Sequence, residues 1–135
     1  MSSKKSILLK AFNKHFFEFL DDIISIFPEK KEIATSKEYL ETLKTANPTL
    51  LIKIWNTYIF EPYKSEIRSG NIDFFLEKDY SQDISTIQNS EKILNLIDSS
   101  LREPLRQMNE ENKEKCTKYI QLLSTVSEKY TNLKM

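Results

Sequence analysis

The feature that most limits how this chain can fold is its shortage of glycine, because Gly70 is the only glycine in 135 residues. Sheet folds built from hairpins place glycine at many of their tight turns, where positive φ angles are needed. A chain with one glycine therefore favours helices. The same shortage excludes a P-loop and a dinucleotide-binding fingerprint, since both need several glycines to bring the backbone close to phosphate.

Apolar residues recur at helical spacing along most of the chain and predict a bundle of about five helices. The first helix is predicted over Lys5–Phe27 and ends before Pro28, because the residue before a proline avoids the helical region. The second is predicted over Ser36–Ala46, with Thr35 and Glu38 forming a capping box at its start. The chain thus begins with two helices joined by a polar turn.

The third helix is expected to follow Asn47 and Pro48, because asparagine is a good N-cap and proline suits the first helical position. Leu50–Phe60 is apolar on most sides, which predicts a central helix with Trp55 anchoring the core. Pro62 is expected to kink or split this helix, since proline lacks the N–H that helical hydrogen bonding requires.

The remaining helices follow the left-handed C-cap that is predicted at Gly70. Helix four is predicted over Ser90–Met108, with Pro104 bending or breaking it, and helix five over Asn109–Leu133. Helix five carries a heptad seam formed by Cys116, Tyr119, Leu123, Val126, Tyr130 and Leu133. The sequence therefore predicts an all-α fold, a single-domain bundle over residues 1–135 with long N- and C-terminal helices.

Charge and hydropathy exclude several classes of partner. The chain has 20 basic and 20 acidic residues, whereas a general nucleic-acid binder needs an excess of positive charge. Only three of the basic residues are arginine, the better side chain for recognising guanine and phosphate. No apolar run approaches the ~20 residues of a membrane span. We expect no membrane partner, and the sequence disfavours nucleic acid.

The residues that most often carry catalysis or bind metals are scarce. One histidine and one cysteine cannot supply a zinc site. His15 is predicted at the edge of the apolar face of helix one, and Cys116 is predicted to be a small buried hydrophobe. No signal peptide is indicated at the start of the chain, because Lys10, Asn13 and Lys14 interrupt its apolar stretch. We expect a non-enzymatic protein without cofactor or metal that is not secreted.

The segment after Gly70 holds the candidate interaction site. Adjacent residues such as Phe74 and Phe75 cannot both point into one core. One ring could therefore contact a partner, and aromatic side chains with an acidic rim suit a protein-docking surface. Burial of both rings by different neighbours in an irregular turn is the alternative. The candidate interaction residues are Phe74, Phe75, Glu77, Asp79 and Tyr80.

Two rival functions compete with protein docking. A carboxylate-metal enzyme would need the acids Asp73, Glu77, Asp79 or Asp83 to converge with acids of another helix. Their spacing is not that of an EF-hand, so capping and solvation explain them better. A nucleic-acid-associated or transcription accessory factor would need the lysines of helix one or helix five to form one contiguous basic face.

Four lysines near the start of helix one form a further candidate surface: Lys4, Lys5, Lys10 and Lys14. They could contact an acidic partner or lipid headgroups. The first twenty residues carry a charge of about +3, which is less than the polybasic clusters that hold proteins at membranes. We expect a flexible, solvated end.

One group of residues carries a family resemblance, and it covers nearly the whole chain. The pattern is Phe12-Asn13-x-His15-Phe16-x-Glu18-Phe19-x-Asp21-Asp22-Ile23, Phe27-Pro28, Asn47-Pro48, Trp55, Pro62-Tyr63-x-x-x-Ile67 and Gly70-x-x-Asp73-Phe74-Phe75-Leu76-x-Lys78-Asp79-Tyr80. It resembles a family of small helical proteins of giant and other large nucleocytoplasmic DNA viruses.

The resemblance implies a virus-encoded protein in the host cytoplasm, a viral factory or the virion, and it brings no family activity or catalytic residue with it. The leading hypothesis is a viral protein that acts by protein–protein interaction or as a structural component. Its partner would be a viral or host protein, or a second copy through helix 109–133. The alternative for that helix is that its seam packs only against helix one of the same chain.

Overall fold

A computed structural model describes residues 3–71, 95–96 and 98–133, leaving aside the side chains of residues 98 and 99. Every regular element in these residues is helical. In chain order they are α1 (Lys4–Ile26), α2 (Lys31–Ala46), α3 (Leu50–Ile54), a π-helix (Trp55–Phe60), a 3-10 helix (Glu61–Tyr63), α4 (Lys64–Ser69), a second π-helix (Asp98–Arg102), α5 (Glu103–Arg106) and α6 (Glu110–Asn132). The predicted all-α single-domain bundle with long terminal helices is confirmed.

Helix α1 begins and ends close to its predicted bounds. Ser3 is its N-cap, and the Ser3 hydroxyl accepts a hydrogen bond from the Ser6 N–H at 3.0 Å. At the other end the Phe27 N–H donates to the Ile23 carbonyl at 2.9 Å, immediately before Pro28. The predicted apolar face is buried in the core at Phe12, Phe16, Phe19 and Ile23.

Helix α2 begins five residues earlier than predicted, at Lys31 instead of Ser36. The predicted capping box of Thr35 and Glu38 is therefore wrong. Thr35 lies inside the helix, where its hydroxyl donates to the Lys31 carbonyl at 3.4 Å, a bond that helical threonines often make with the residue four positions earlier. Ile33 is fully buried, and its tertiary contacts stabilise a first turn that has no side-chain cap.

The helix predicted to run as far as Gly70 stays helical through Pro62 but changes its winding there. The chain passes from a π-helix into a tight 3-10 turn over Glu61–Tyr63. A proline ring clashes with the carbonyl four residues earlier and offers no N–H, so regular α-winding is not available at this point. Gly70 ends α4 with φ of +83°, and its N–H donates to the Ile67 carbonyl at 3.1 Å. The left-handed cap is confirmed.

Two asparagines and a proline mark the starts of other elements. The predicted N-cap at Asn47, with Pro48 as the first helical residue, is wrong, because the N-cap of α3 is Thr49. Asn47 Oδ1 accepts from the Thr49 N–H at 3.3 Å in the turn before the helix. Asn109 Oδ1 accepts from the Asn112 N–H at 2.9 Å and caps α6. Pro104 lies in the first turn of α5, which follows the second π-helix directly because Arg102 keeps helical φ and ψ angles. The chain therefore stays helical through Pro104 and changes its winding there, as it does at Pro62.

Trp55 lies at the centre of the core, as predicted, and none of its surface is exposed. The rings of Phe12 and Phe16 meet it edge-on, with centroids 6.1 and 6.3 Å away. Its indole Nε1–H donates to the Ser124 hydroxyl of α6 at 3.0 Å. One side chain thus joins α1, the first π-helix and α6, and its buried polar atom has a partner.

Four of the six residues of the α6 heptad seam, Cys116, Leu123, Val126 and Tyr130, are buried within the chain, and the other two, Tyr119 and Leu133, are half-buried. Helices α1 and α6 form the largest helix–helix contact among the described residues. This packing against helix one of the same chain is the alternative to self-association that was given for the seam. A second copy could reach the four buried seam residues of helix 109–133 only if the bundle opened, which leaves Tyr119, Leu133 and the outer face of α6 for self-association.

Candidate functional site

The start of α1 lies beside the end of α6, because the two long helices pack antiparallel. Lys5 Nζ lies 4.9 Å from the centre of the Tyr130 ring. Further along, the rings of Phe19 and Tyr119 stack with their centroids 5.0 Å apart. Positions that increase along α1 thus meet positions that decrease along α6. Side chains from two distant parts of the sequence therefore form one surface at this end of the bundle.

A groove of about 440 Å³ opens on this surface, and we call it the terminal groove. It is open to solvent, and its volume falls in the range of about 300–1,000 Å³ that is usual for ligand sites. Ile7 is 56% exposed, more than any other large apolar side chain in the described part of the protein. The groove is lined by Lys4, Ile7, Leu8, Lys129, Asn132 and Leu133.

Ile7 lies on the outer face of α1, which is otherwise polar. The spacing of three and four residues places Ser3, Ile7, Lys10, Lys14 and Glu18 on this face, and all five are exposed. Core packing therefore does not account for the isoleucine. Single exposed apolar residues are common on protein surfaces.

What distinguishes Ile7 is its neighbourhood, because Leu8 and Leu133 line the same groove. Ile7 and Leu8 of α1 and Leu133, the C-cap residue of α6, thus line one groove, and we call these three apolar side chains its apolar floor. A partner that covers this floor removes all three from water at once, which a lone exposed side chain does not offer.

The charges of α1 are segregated along its length. The helix holds four lysines and no acid as far as Lys14, and then three acids and no base between Glu18 and Asp22. The helix dipole adds partial positive charge at the N-terminal end. Lys4 and Lys129 line the terminal groove from opposite helices, and none of the lining residues is acidic. The groove is therefore apolar with a positive rim.

The four lysines near the start of the chain were predicted to form a flexible, solvated end; Lys4, Lys10 and Lys14 are exposed as predicted, but the end is helical. Helix α1 begins at Lys4, so all four lysines lie on helical backbone. The Ser3 cap and the contact of Lys5 with Tyr130 stabilise these first turns. Their charges consequently have defined positions along α1, and Lys4 lines the groove.

The interaction site predicted from the sequence lies outside the described residues. The same applies to the acids of the rival metal site. The docking prediction therefore stays a prediction. The residues concerned are Phe74, Phe75, Glu77, Asp79 and Tyr80 for docking, and Asp73, Glu77, Asp79 and Asp83 for the metal.

The acids of α1 contact neighbouring helices at the end away from the groove. Asp21 Oδ1 accepts a hydrogen bond from Lys37 Nζ of α2 at 2.5 Å, and this bond raises the pKa of Lys37. Asp22 and Tyr119 of α6 line one small pocket. Partial burial, with a smaller effect of the nearby Asp22 carboxylate, raises the pKa of Tyr119 to about 12. These acids connect α1 to α2 and α6.

His15 and Cys116 have surroundings that suit structural roles. His15 Nδ1 lies 2.9 Å from Glu18 Oε1 at a partly exposed position, as predicted for a boundary residue. Cys116 is buried, with its sulfur 3.6 Å from that of Met108. Burial raises the pKa of the Cys116 thiol to about 12. The thiol therefore stays protonated at neutral pH, whereas the thiolate is the reactive form.

Within residues 3–71, 95–96 and 98–133, no three His, Cys, Asp or Glu side chains lie close enough together to hold a metal ion. No helix in that part of the chain is long and apolar enough to cross a membrane. No protein-family model, curated protein or solved structure matches the chain at a significant level. The function of the terminal groove is therefore inferred from its own geometry and chemistry.

Proposed function

We propose that this protein is a non-enzymatic helical interaction module that binds another protein through the terminal groove. The observation that carries the proposal is Ile7, a large apolar side chain that is 56% exposed beside Leu8 and Leu133. Covering apolar surface is worth roughly 25 cal/mol per Å². An apolar centre with a polar rim is also the usual anatomy of a protein interface.

The resemblance to proteins of large DNA viruses supports an infected host cell as the setting. The partner is then a viral or host protein in the host cytoplasm, a viral factory or the virion. A structural role in the virion is a form of the same proposal, because it too depends on contacts between proteins. The segment with Phe74 and Phe75 is proposed as a second contact surface.

A nucleic-acid-associated role is the second candidate, and the four lysines at the start of α1 favour it. Helix α6 argues against an extended basic face, because Lys115 and Lys118 are interspersed with Glu111 and Glu114 among its exposed residues. Phosphate is bound by cations and hydrogen-bond donors, so an isoleucine among the lysines adds nothing to such a contact. Ile7 therefore favours protein over nucleic acid as the ligand.

The proposal is tested by affinity purification of the tagged protein from infected host cells, followed by quantitative mass spectrometry. The variants are Ile7→Asp and, as a matched control, Leu122→Asp on the outer face of α6, where Leu122 is 39% exposed. We expect a specific protein to be recovered with the native chain and with Leu122→Asp, and to be lost with Ile7→Asp. Recovery of nucleic acid alone, or of the same proteins with all three chains, would contradict the proposal.

A double variant, Phe74→Ala with Phe75→Ala, tests the second contact surface in the same experiment. Loss of the partner in this variant, with the far-UV circular dichroism unchanged, supports a contact through the aromatic segment. Full recovery of the partner assigns the interaction to the terminal groove alone.

A further inference from the structure

We infer that the partner presents an acidic amphipathic helix to the terminal groove. This inference rests on the proposed function and adds the shape and charge of the ligand. The groove has an apolar floor of Ile7, Leu8 and Leu133 and a rim that contains Lys4 and Lys129. A complementary ligand must therefore offer apolar side chains flanked by negative charge.

The open form of the groove favours a helix over an enclosed small molecule. Small-molecule sites usually bury about 70–90% of the ligand surface, and a groove open to solvent covers one side of its occupant. An amphipathic helix places apolar residues at i, i+3, i+4 and i+7 and leaves its other faces in water. A peptide that binds as an added β-strand would instead need a free strand edge, and all the regular elements described here are helical.

The charges around the groove determine the sign of the flanking residues. Lys4 of α1 and Lys129 of α6 both line the groove, and Lys10 follows Lys4 within two turns of α1. Lys5 adds a fourth positive charge, held over the Tyr130 ring. Lys129 also lies in the last turn of α6, where it offsets the negative end of that helix dipole. The charged side chains that line the groove are thus both positive, so Asp or Glu flanks the apolar residues of the partner helix.

The test is calorimetric titration of the full chain with a synthetic helical peptide of about 15 residues, a length at which an isolated helix can form. The peptide carries Leu at i, i+3, i+4 and i+7 and Glu at the flanking positions. A control peptide has the same composition with the leucines scrambled. We expect one peptide per chain, binding at least about tenfold tighter than the control. Salt should weaken this binding, because it screens exposed charges.

Variants of the protein locate the peptide. Ile7→Asp should weaken binding about tenfold or more, through loss of a buried apolar side chain. The double reversal Lys4→Glu with Lys129→Glu should weaken binding similarly, and should reverse the preference towards a peptide with Lys in place of Glu. Leu122→Asp should bind like the native chain. Circular dichroism checks that each variant is folded, which is expected because the substituted side chains lie at the surface.

Several results would overturn the inference: no binding of the designed peptide, equal binding of the scrambled peptide, or equal binding by Ile7→Asp. Tighter, Ile7-dependent binding to phosphatidylserine vesicles, to single-stranded nucleic acid or to a second copy in sedimentation would overturn it as well. If the peptide fails while a cellular protein is recovered in an Ile7-dependent way, only the helical, acidic chemistry is wrong. If no protein is recovered, the proposed function is wrong too.

Discussion

The buried hydrogen bond between Trp55 and Ser124 allows a sharp test of how the core is held together. The indole Nε1–H and the Ser124 hydroxyl are 3.0 Å apart, and neither residue is more than 1% exposed. Ser124→Ala leaves the buried N–H without its acceptor, which costs about 1–3 kcal/mol. For a chain of this length the unfolding entropy is about 0.3 kcal/mol per kelvin. The melting temperature should therefore fall by roughly 4–10 °C.

A double-mutant cycle separates this bond from simple packing effects. Trp55→Phe removes the donor and keeps an aromatic ring in the core. In that background Ser124→Ala should cost less by about 1 kcal/mol, because no orphaned N–H remains. Ser25→Ala, at an exposed position of α1, is the matched control and should stay within about 0.5 kcal/mol of the native chain.

Urea unfolding followed by far-UV circular dichroism measures all of these variants. Trp55 is the only tryptophan in the sequence, so its fluorescence also reports the surroundings of the ring in the variants that retain it. Two results would refute the reasoning. One is a cost for Ser124→Ala no larger than that for Ser25→Ala, and the other is strict additivity of the two core substitutions.

Three further predictions concern stability. Gly70→Ala should lower the free energy of unfolding in urea by about 1–2 kcal/mol, because φ is +83° there, and Gly70→Asn should cost less. Folding raises the pKa of Cys116 from 9.0, and that of Tyr119 from 10.0, to about 12. The native state then binds more protons than the unfolded state, so stability should be lost as pH rises from about 9 to about 12. Tyr119→Phe should flatten this loss in melting curves, and an unchanged slope would contradict the assignment. Arg68→Ala breaks an exposed 2.5 Å ion pair with Glu128 and should cost less than about 1 kcal/mol by the same urea assay.

The long helices could be predicted from the sequence, because their apolar periodicity extends over many turns and their ends carry clear signals. Pro28 follows the end of α1 closely, and Asn109 caps α6. The start of α2 could not be predicted, because a threonine followed three residues later by glutamate occurs both in capping boxes and inside helices. Whether Thr35 caps a helix or lies inside one depends on whether the chain before it is helical. Burial of Ile33 in the core stabilises the earlier turn and places Thr35 inside the helix. A local sequence pattern does not show which residues the rest of the chain will bury.

Only some of the residues of the terminal groove could be predicted from the sequence to form a contact surface. The lysines near the start of the chain were recognised as a surface that an acidic partner could contact. Ile7 also left a signal, because it interrupts the polar face of α1 at helical spacing. That Leu133 lies near Leu8 depends on the antiparallel packing of helices at opposite ends of the described chain. Periodicity predicts each helix but not which ends meet, so the groove required the structure.

Ile7 and Leu122 together show why exposure alone does not identify a binding site. They are the two large apolar side chains that are clearly exposed in the described part of the protein. Leu122 lies on the outer face of α6, where its neighbours along the helix include the polar Lys118 and Thr125, and it lines no groove with Ile7. Ile7 shares the terminal groove with Leu8 and Leu133.

Both side chains are largely in water already, so replacing either with a polar residue should barely change folding stability. Only at Ile7 does the replacement also remove part of an apolar floor that a partner could cover. Equal stability of the two variants with unequal binding would therefore separate a site from an ordinary exposed side chain. Equal binding would place Ile7 in the same class as Leu122.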